Sequence, residues 1–236
     1  DVWCKRVSYP IVDRWYNKGH DHYHKDEGEG MDMYNVGPSR GCGGTGIWDG
    51  KQLHVGGNFQ SWRILANGPV RAQFELTYAT WMANGTIVSE VKRITLDAGH
   101  QLNRIESTFT VHAGAKELVV GLGLNKTPSD KGQEPVIGIT STAPAGALSQ
   151  WVTQKTKGEL ATAVVVPGPE FQGFAEDDRN LLVLAKTVSG QPLRYWAGAA
   201  WSRAGEFSNH ESWDAYLAGW AARVRAPIRV TLSASP

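Results

Sequence analysis

Residues 70–96 read VRAQFELTYATWMANGTIVSEVKRITL and carry the clearest secondary-structure signal in the chain. Apolar side chains occupy every second position from Val70 to Tyr78, which is the period of a strand with one buried face. The dipeptide Asn84-Gly85 follows, and because both residue types tolerate positive φ it indicates a hairpin turn. This stretch therefore predicts antiparallel strands joined by a tight turn.

Similar patterns extend this meander in both directions. Asp49-Gly50 repeats the hairpin chemistry upstream, and a Pro-, Gly- and Ser-rich stretch at 125–146 is interpreted as a long surface excursion. Further strands are predicted at 86–96, 102–111, 117–124, 160–166, 181–188, 193–201 and 228–232. The chain is thus predicted to be mainly β, an antiparallel β-sandwich or barrel.

One C-terminal amphipathic helix is also predicted. Ser208 and Glu211 have the spacing of a capping box, and Pro227 ends the pattern. Apolar residues recur between them at helical intervals, at Trp213, Leu217, Trp220 and Val224. This helix is expected to dock on a sheet.

Length and composition favour one β-rich domain over residues 1–236. The net charge of +1 argues against nucleic acid as a partner, and no apolar run is long enough to span a membrane. No phosphate-binding loop motif is present, so no nucleotide cofactor is expected. Cys4 and Cys42 either form one disulfide, the preferred interpretation, or remain two buried thiols.

The densest chemical signal is GHDHYHKDEGEG at residues 19–30, where three of the seven histidines fall within five positions. So many titratable groups are costly to bury, which indicates a functional site. If the stretch is extended, His20, His22 and His24 point to one face. Neighbouring pairs could then hold a divalent metal ion, zinc or calcium, with Glu29 as a further ligand.

Two other interpretations of this stretch stay open. It is either an exposed, solvated polar loop, or a site of direct acid and base catalysis with histidine as base and Tyr23 or Tyr34 as proton donor. Arg40, beside several glycines, either clamps a carboxylate or is simply solvated.

Ten tryptophans are present, and most are expected in the core. Aromatic rings also stack on the apolar faces of sugars. Four tryptophans are candidates for this role: Trp48, Trp62, Trp196 and Trp201.

Four ordered motifs resemble a known bacterial family. They are GHDHYHKDEGEGMDMYNVGPSRGCGG (19–44), SWRILANGPVRAQFELTY (61–78), VKRITLDAGHQLNR (91–104) and RYWAGAAWSRAGEF (194–207). Together they resemble the family catalogued as domain of unknown function 4861. The resemblance implies a galactose-mutarotase-like supersandwich, a periplasmic or secreted location and work on uronate-containing glycans. Family members carry further N-terminal sequence, so the chain is expected to lack an N-terminal part, itself a possible partner.

The leading functional prediction is an enzyme that cleaves uronate-containing carbohydrate by a lyase step, β-elimination. Arg40 or a metal held by His22 and His24 would neutralise the uronate carboxylate, and His20 or His22 would remove the C5 proton. Tyr23 or Tyr34 would protonate the leaving oxygen. The alternatives are a glycoside hydrolase on unsaturated uronyl oligosaccharides and a non-catalytic carbohydrate-binding module.

Overall fold

A computed structural model describes residues 1–19, 21–127 and 136–231 and confirms the mainly β, antiparallel architecture. Within those ranges the strands are β1 (Trp3–Lys5), β2 (Gly30–Asp32), β3 (Cys42–Trp48), β4 (Leu53–His54), β5 (Phe59–Asn67), β6 (Arg71–Tyr78), β7 (Trp81–Ala83), β8 (Thr86–Asp97), β9 (Leu102–Ala113), β10 (Glu117–Asn125), β11 (Val136–Thr142), β12 (Ala147–Gln154), β13 (Gly158–Val165), β14 (Phe171–Glu176), β15 (Asn180–Val188) and β16 (Pro192–Trp201). The helices are α1 (Val12–Asn17) and α2 (His210–Arg225).

A nine-stranded antiparallel sheet forms the larger layer. Its order is β11-β12-β13-β16-β9-β8-β6-β5, and β7 pairs separately with β8. The predicted turn at Asn84-Gly85 joins β7 to β8, and both residues have positive φ, 46° and 82°. The predicted hairpin turn is therefore present, and after it β8 pairs with both β7 and β6.

A five-stranded sheet of order β14-β15-β10-β3-β4 packs on the larger one. The main core lies between the two sheets, where strand alternation directs side chains such as Val120, Leu122, Phe109 and Tyr195 inward. The side chains of β5 are mostly exposed along its length. This edge of the larger sheet is therefore not covered by the smaller sheet.

Gly43 on β3 marks a close approach of the two sheets. A Cβ added there would lie only 2.4 Å from Cβ of Ala197 on β16, and the residue has a φ of +84°. The Tyr195 hydroxyl donates a hydrogen bond to the Gly43 carbonyl at 2.8 Å. Glycine at this position lets β3 rest directly on the larger sheet.

The amino-terminal residues form a separate small unit. β1 pairs with β2, and the helix α1, which the sequence did not predict, places Trp15 in a cluster with Ile11 and Tyr23. Residues 21–24 are in a turn, with the backbone N–H of His22 donating to the carbonyl of Gly19 at 3.1 Å. The extended geometry assumed for the histidine stretch is therefore wrong for these residues.

Helix α2 confirms the predicted C-terminal helix, with one change at its start. Asn209 is the N-cap, and its side chain accepts from the backbone N–H of Ser212 at 2.9 Å, so the cap lies one residue after the predicted Ser208. Trp213 and Leu217 are buried against the outer face of the larger sheet. No helix in the described parts of the chain is long and apolar enough to cross a membrane.

Three further expectations need correction. Residues 228–231 form no strand, and Leu232 lies outside the described residues. The supposed excursion at 125–146 contains β11, which pairs with β12 along its whole length. Cys4 on β1 and Cys42 on β3 are free thiols, so the preferred disulfide is not present.

Candidate functional site

A polar cavity lies between the two sheets, where β3 faces β6 and β8. Its volume is about 170 Å³, below the range of about 300–1,000 Å³ for pockets that enclose a whole drug-sized ligand. Its charged and hydrogen-bonding lining consists of Arg40, Thr45, Asn58, Tyr78, Trp81, Glu90 and Lys92. This space, called the Arg40 cavity below, suits one polar group of a larger ligand.

Two oppositely charged residues enter the cavity from β8. Glu90 and Lys92 are two positions apart, so the strand directs both to the same face. They are only 4% and 7% exposed. Charged side chains are rarely buried this far unless they are paired, so their presence here needs partners inside the cavity.

Thr45 on β3 supplies the link between them. Its hydroxyl lies 3.1 and 3.0 Å from the two carboxylate oxygens of Glu90, and it accepts a hydrogen bond from Lys92 Nζ at 3.0 Å. Lys92 Nζ also lies 3.5 Å from Glu90 Oε1 and 5.4 Å from the ring centre of Tyr78. The network spans both sheets and fixes the carboxylate and the ammonium group relative to each other.

Arg40 reaches the cavity from the loop before β3. Its backbone N–H donates to Asn180 Oδ1 at 2.6 Å. A Cβ at Gly123 would lie 2.5 Å from the Arg40 Cβ, and one at Gly44 would lie 2.4 Å from the Arg40 carbonyl oxygen. The two glycines therefore leave the space that the arginine occupies.

Two buried donors at the cavity have no hydrogen-bond partner among the described residues. They are Nε of Arg40 and Nε1 of Trp81. A buried donor without an acceptor costs about 1–3 kcal/mol, so each of these atoms favours an acceptor that the described residues do not supply. The lining carries the cations of Arg40 and Lys92 against the single carboxylate of Glu90, which favours an anionic acceptor.

Tyr78 provides a neutral proton donor at the same place. Burial and the nearby Glu90 carboxylate raise the pKa of Tyr78 to about 12, although the Arg40 cation opposes the shift. The phenol therefore keeps its proton at neutral pH, when it can donate to an oxygen that becomes negatively charged.

The histidine stretch lies elsewhere, because none of its described residues lines the Arg40 cavity. His22 Nε2 is 3.0 Å from a carboxylate oxygen of Glu27, and His24 Nδ1 is 3.3 Å from the backbone oxygen of Asp32. His20 lies outside the described residues. The two described rings thus bind different partners instead of sharing one point.

Glu29, the third predicted metal ligand, is held by the amino-terminal unit. Its carboxylate accepts from the Tyr9 hydroxyl at 2.7 Å and from Trp15 Nε1 at 3.0 Å, and it pairs with Arg14 at 2.6 Å. These hydrogen bonds lower the pKa of Glu29 to about 2. Among the described residues, no group of three or more His, Cys, Asp or Glu side chains is placed to hold a metal ion.

The two predicted proton donors are both buried outside the cavity. Tyr23 stacks on Trp3 with ring centres 5.0 Å apart. Tyr34 packs with Met33 and Trp201, and burial raises its pKa. The structure therefore does not bring either phenol to Arg40.

The four candidate tryptophans differ in exposure. Trp196 and Trp201 are 7% and 3% exposed and pack in the core, with Trp201 Nε1 donating to the Lys157 carbonyl at 2.9 Å. Burial leaves Trp196 without an open ring face, so stacking on a sugar is not compatible with its position. Trp48 ends β3 and is partly exposed, whereas Trp62 on β5 is 64% exposed.

Most of the cavity lining was missed from the sequence. Glu90 and Lys92 carry a usable signal, since they share strand parity with the buried Val88 and with Ile94 and so interrupt an apolar face. Thr45 and Trp81 carry no such signal. Their place in the cavity depends on how the two sheets meet.

The fold and the cavity describe a two-sheet antiparallel β protein with a partly unsatisfied, cation-rich site between its layers. The chain belongs to the family described as Domain of unknown function (DUF4861), which matches residues 1–230. This confirms the resemblance inferred from the four motifs.

A relative named "Uncharacterized protein P7", from Formosa agariphila, is 33% identical over 241 residues. The alignment covers 98% of this chain and 58% of that protein, so the chain spans little more than half of the relative's length. No solved structure gives a significant match.

Proposed function

We propose that the protein is a carbohydrate-active enzyme that cleaves uronate-containing oligo- or polysaccharides by β-elimination, with the uronate carboxylate bound in the Arg40 cavity. One observation carries this proposal: Nε of Arg40 and Nε1 of Trp81 are buried donors without described partners, in a lining with an excess of cations. A carboxylate supplies both the negative charge and the lone pairs that these donors require.

The cavity residues take the roles that the reaction demands. Arg40 neutralises the carboxylate, Trp81 donates a hydrogen bond to it, and Glu90 removes the C5 proton. The C5–H electron pair forms the C4–C5 double bond while the C4–O bond breaks, and the leaving oxygen takes the phenolic proton of Tyr78. Lys92 and Thr45 position the Glu90 carboxylate. The proton on Glu90 returns to Tyr78 after the products leave, which restores the starting state.

The two alternative functions have less support. Glycoside hydrolysis commonly uses two carboxylates on opposite sides of the bond, and Glu90 is the one carboxylate among the described residues that line the cavity. A non-catalytic binding module would use the same anion site without forming a product.

The decisive experiment incubates the protein with pectin, ulvan and alginate fragments and follows the ultraviolet absorbance of the new C4–C5 double bond. Absorbance should rise with at least one substrate, and the rise should be lost in Glu90→Gln and Tyr78→Phe. The matched control Glu176→Gln, at an exposed carboxylate, should keep full activity. A flat trace with every uronate would refute the lyase, and saturated products would favour a hydrolase.

Two subsidiary proposals accompany this one. A periplasmic or secreted location follows from a polymeric substrate and is tested by fractionation of the host cells. A divalent ion, zinc or calcium, in the histidine stretch is tested by elemental analysis of the wild-type protein and His22→Ala. Loss of a bound ion in the variant is expected, and an ion-free wild type would remove the metal proposal.

A further inference from the structure

The sheet face that carries Lys92 continues beyond the Arg40 cavity. Residues directly opposite each other in antiparallel strands share a face. Lys92 on β8 is opposite Leu76 on β6, and Leu76 is opposite Trp62 on β5. Trp62 therefore lies on the cavity face of the sheet, two strands away from Lys92.

The exposure of Trp62 is unusual for so large an apolar side chain. The residue is 64% exposed, so its ring contributes little to the core. Strands lie about 4.8 Å apart, which places the Cα atoms of Trp62 and Lys92 about 10 Å from each other. At this separation, a sugar that contacts Trp62 would be the unit next to the one in the Arg40 cavity, and not another part of the same sugar ring.

Phe59 extends the aromatic surface towards the cavity. It lines the Arg40 cavity, is opposite Tyr78 and is itself exposed. A register shift between Phe59 and Ser61 inserts an extra residue, so Phe59 and Trp62 share one face although they are three positions apart. The face thus runs without interruption from the anion site to the Trp62 ring.

We infer that Trp62 forms a second sugar subsite, where its ring stacks on the unit next to the uronate held in the Arg40 cavity. The inference rests on the proposed function and deepens it, because it assigns a residue that binds the sugar unit next to the cleaved uronate. Aromatic rings bind the apolar faces of sugars, while the cavity binds the charged group.

A second copy of the chain fits this face less well. A symmetric contact through Trp62 would bring the same patch of both copies together, and with it two cavities that each have more cations than carboxylates. A sugar chain that carries carboxylates meets the same surface with complementary charge.

The test measures binding by calorimetry in a Glu90→Gln background, which prevents turnover. The probes are the saturated monomer and trimer of galacturonate, glucuronate and the alginate uronates. The trimer should bind more tightly than the monomer, and Trp62→Ala should weaken trimer binding by about tenfold without changing monomer binding. Trp62→Phe should keep most of the trimer affinity, since it retains an aromatic face.

Met82→Ala is the matched control, because the exposure of Met82 is similar to that of Trp62. Met82 follows Trp81 in β7, and since Trp81 lines the cavity, Met82 lies on the opposite face of the strand. Unchanged trimer affinity in Trp62→Ala, with monomer binding intact, would refute the subsite alone. A dimer in sedimentation that Trp62→Ala dissociates would also overturn it. No binding of any uronate would overturn the proposed function itself.

Discussion

Lys92 Nζ lies 3.5 Å from Glu90 Oε1 in a cavity where both side chains are almost closed off from water. Each charge has lost most of its hydration, so each depends on the other and on the Thr45 hydroxyl between them. Loss of either Glu90 or Lys92 should therefore destabilise the protein at this cavity.

Lys92→Met should lower the free energy of unfolding by about 3–5 kcal/mol, because Glu90 then stays buried without its cation. Urea denaturation followed by circular dichroism measures the change. The double variant Glu90→Gln/Lys92→Met should recover most of the loss, since no uncompensated charge remains. Equal instability of the single and double variants would contradict the pairing. Lys51→Met, at an exposed lysine, is the control.

Tyr78 should make folding sensitive to alkaline pH. Its pKa is raised by burial to about 12, whereas an unfolded tyrosine ionises near its usual value of 10.0. The folded state therefore keeps the proton longer, so the stabilising effect is complete below about pH 10 and is lost as pH rises towards about 12. Tyr78→Phe should show a smaller loss of stability across this window. An identical alkaline profile for both proteins would argue against a buried phenol.

Cys4 and Cys42 should resist thiol reagents until the protein unfolds. Burial raises the pKa of Cys4 to about 12 and that of Cys42 to about 11, so little reactive thiolate exists in mildly alkaline buffer. Labelling without a reductant should add two groups in urea and almost none in native buffer, as counted by mass spectrometry. Failure to label in urea would reveal a disulfide.

Glu29 should keep the amino-terminal unit folded in acid. Hydrogen bonds from Tyr9 and Trp15, with the Arg14 cation, lower its pKa to about 2 from 4.5. Its stabilising effect is present above about pH 4.5 and is lost as pH falls through about 2. Hydrogen exchange of α1 should therefore be faster in Glu29→Gln than in the wild type at neutral pH, and this difference should shrink as the pH falls towards about 2. Glu27→Gln, at a more exposed carboxylate, should change it less.

Strands were predictable from the sequence where one face of the strand is buried and where strands that follow each other in the chain pair with each other. Residues 70–78 alternate cleanly, and the structure confirms a strand there, β6 from Arg71 to Tyr78. The conformation of the histidine stretch was not predictable from its charge. Its charges are costly to bury, but Asp26 pairs with Arg6 and Glu27 with Lys18, so they are satisfied by local ion pairs.

The candidate site was only partly predictable. Among the described residues that the sequence proposed as catalytic, Arg40 alone lines the cavity, and the glycines around it were the visible clue. Thr45, Tyr78 and Glu90 come from three strands in two sheets. Their meeting depends on long-range pairing, which a local pattern does not encode.

The contact at Gly43 has a mechanical consequence for any ligand. Because a Cβ at Gly43 would lie only 2.4 Å from the Ala197 Cβ, any side chain larger than hydrogen at this position would push β3 away from the larger sheet and change the gap beside Arg40. The Gly56-Gly57-Asn58 connection also lines the cavity, and Gly57 and Asn58 are exposed, so this connection forms the solvent-facing side of the cavity. If the proposed function holds, the spacing that Gly43 sets between the sheets would then help to determine which polar groups fit beside Arg40.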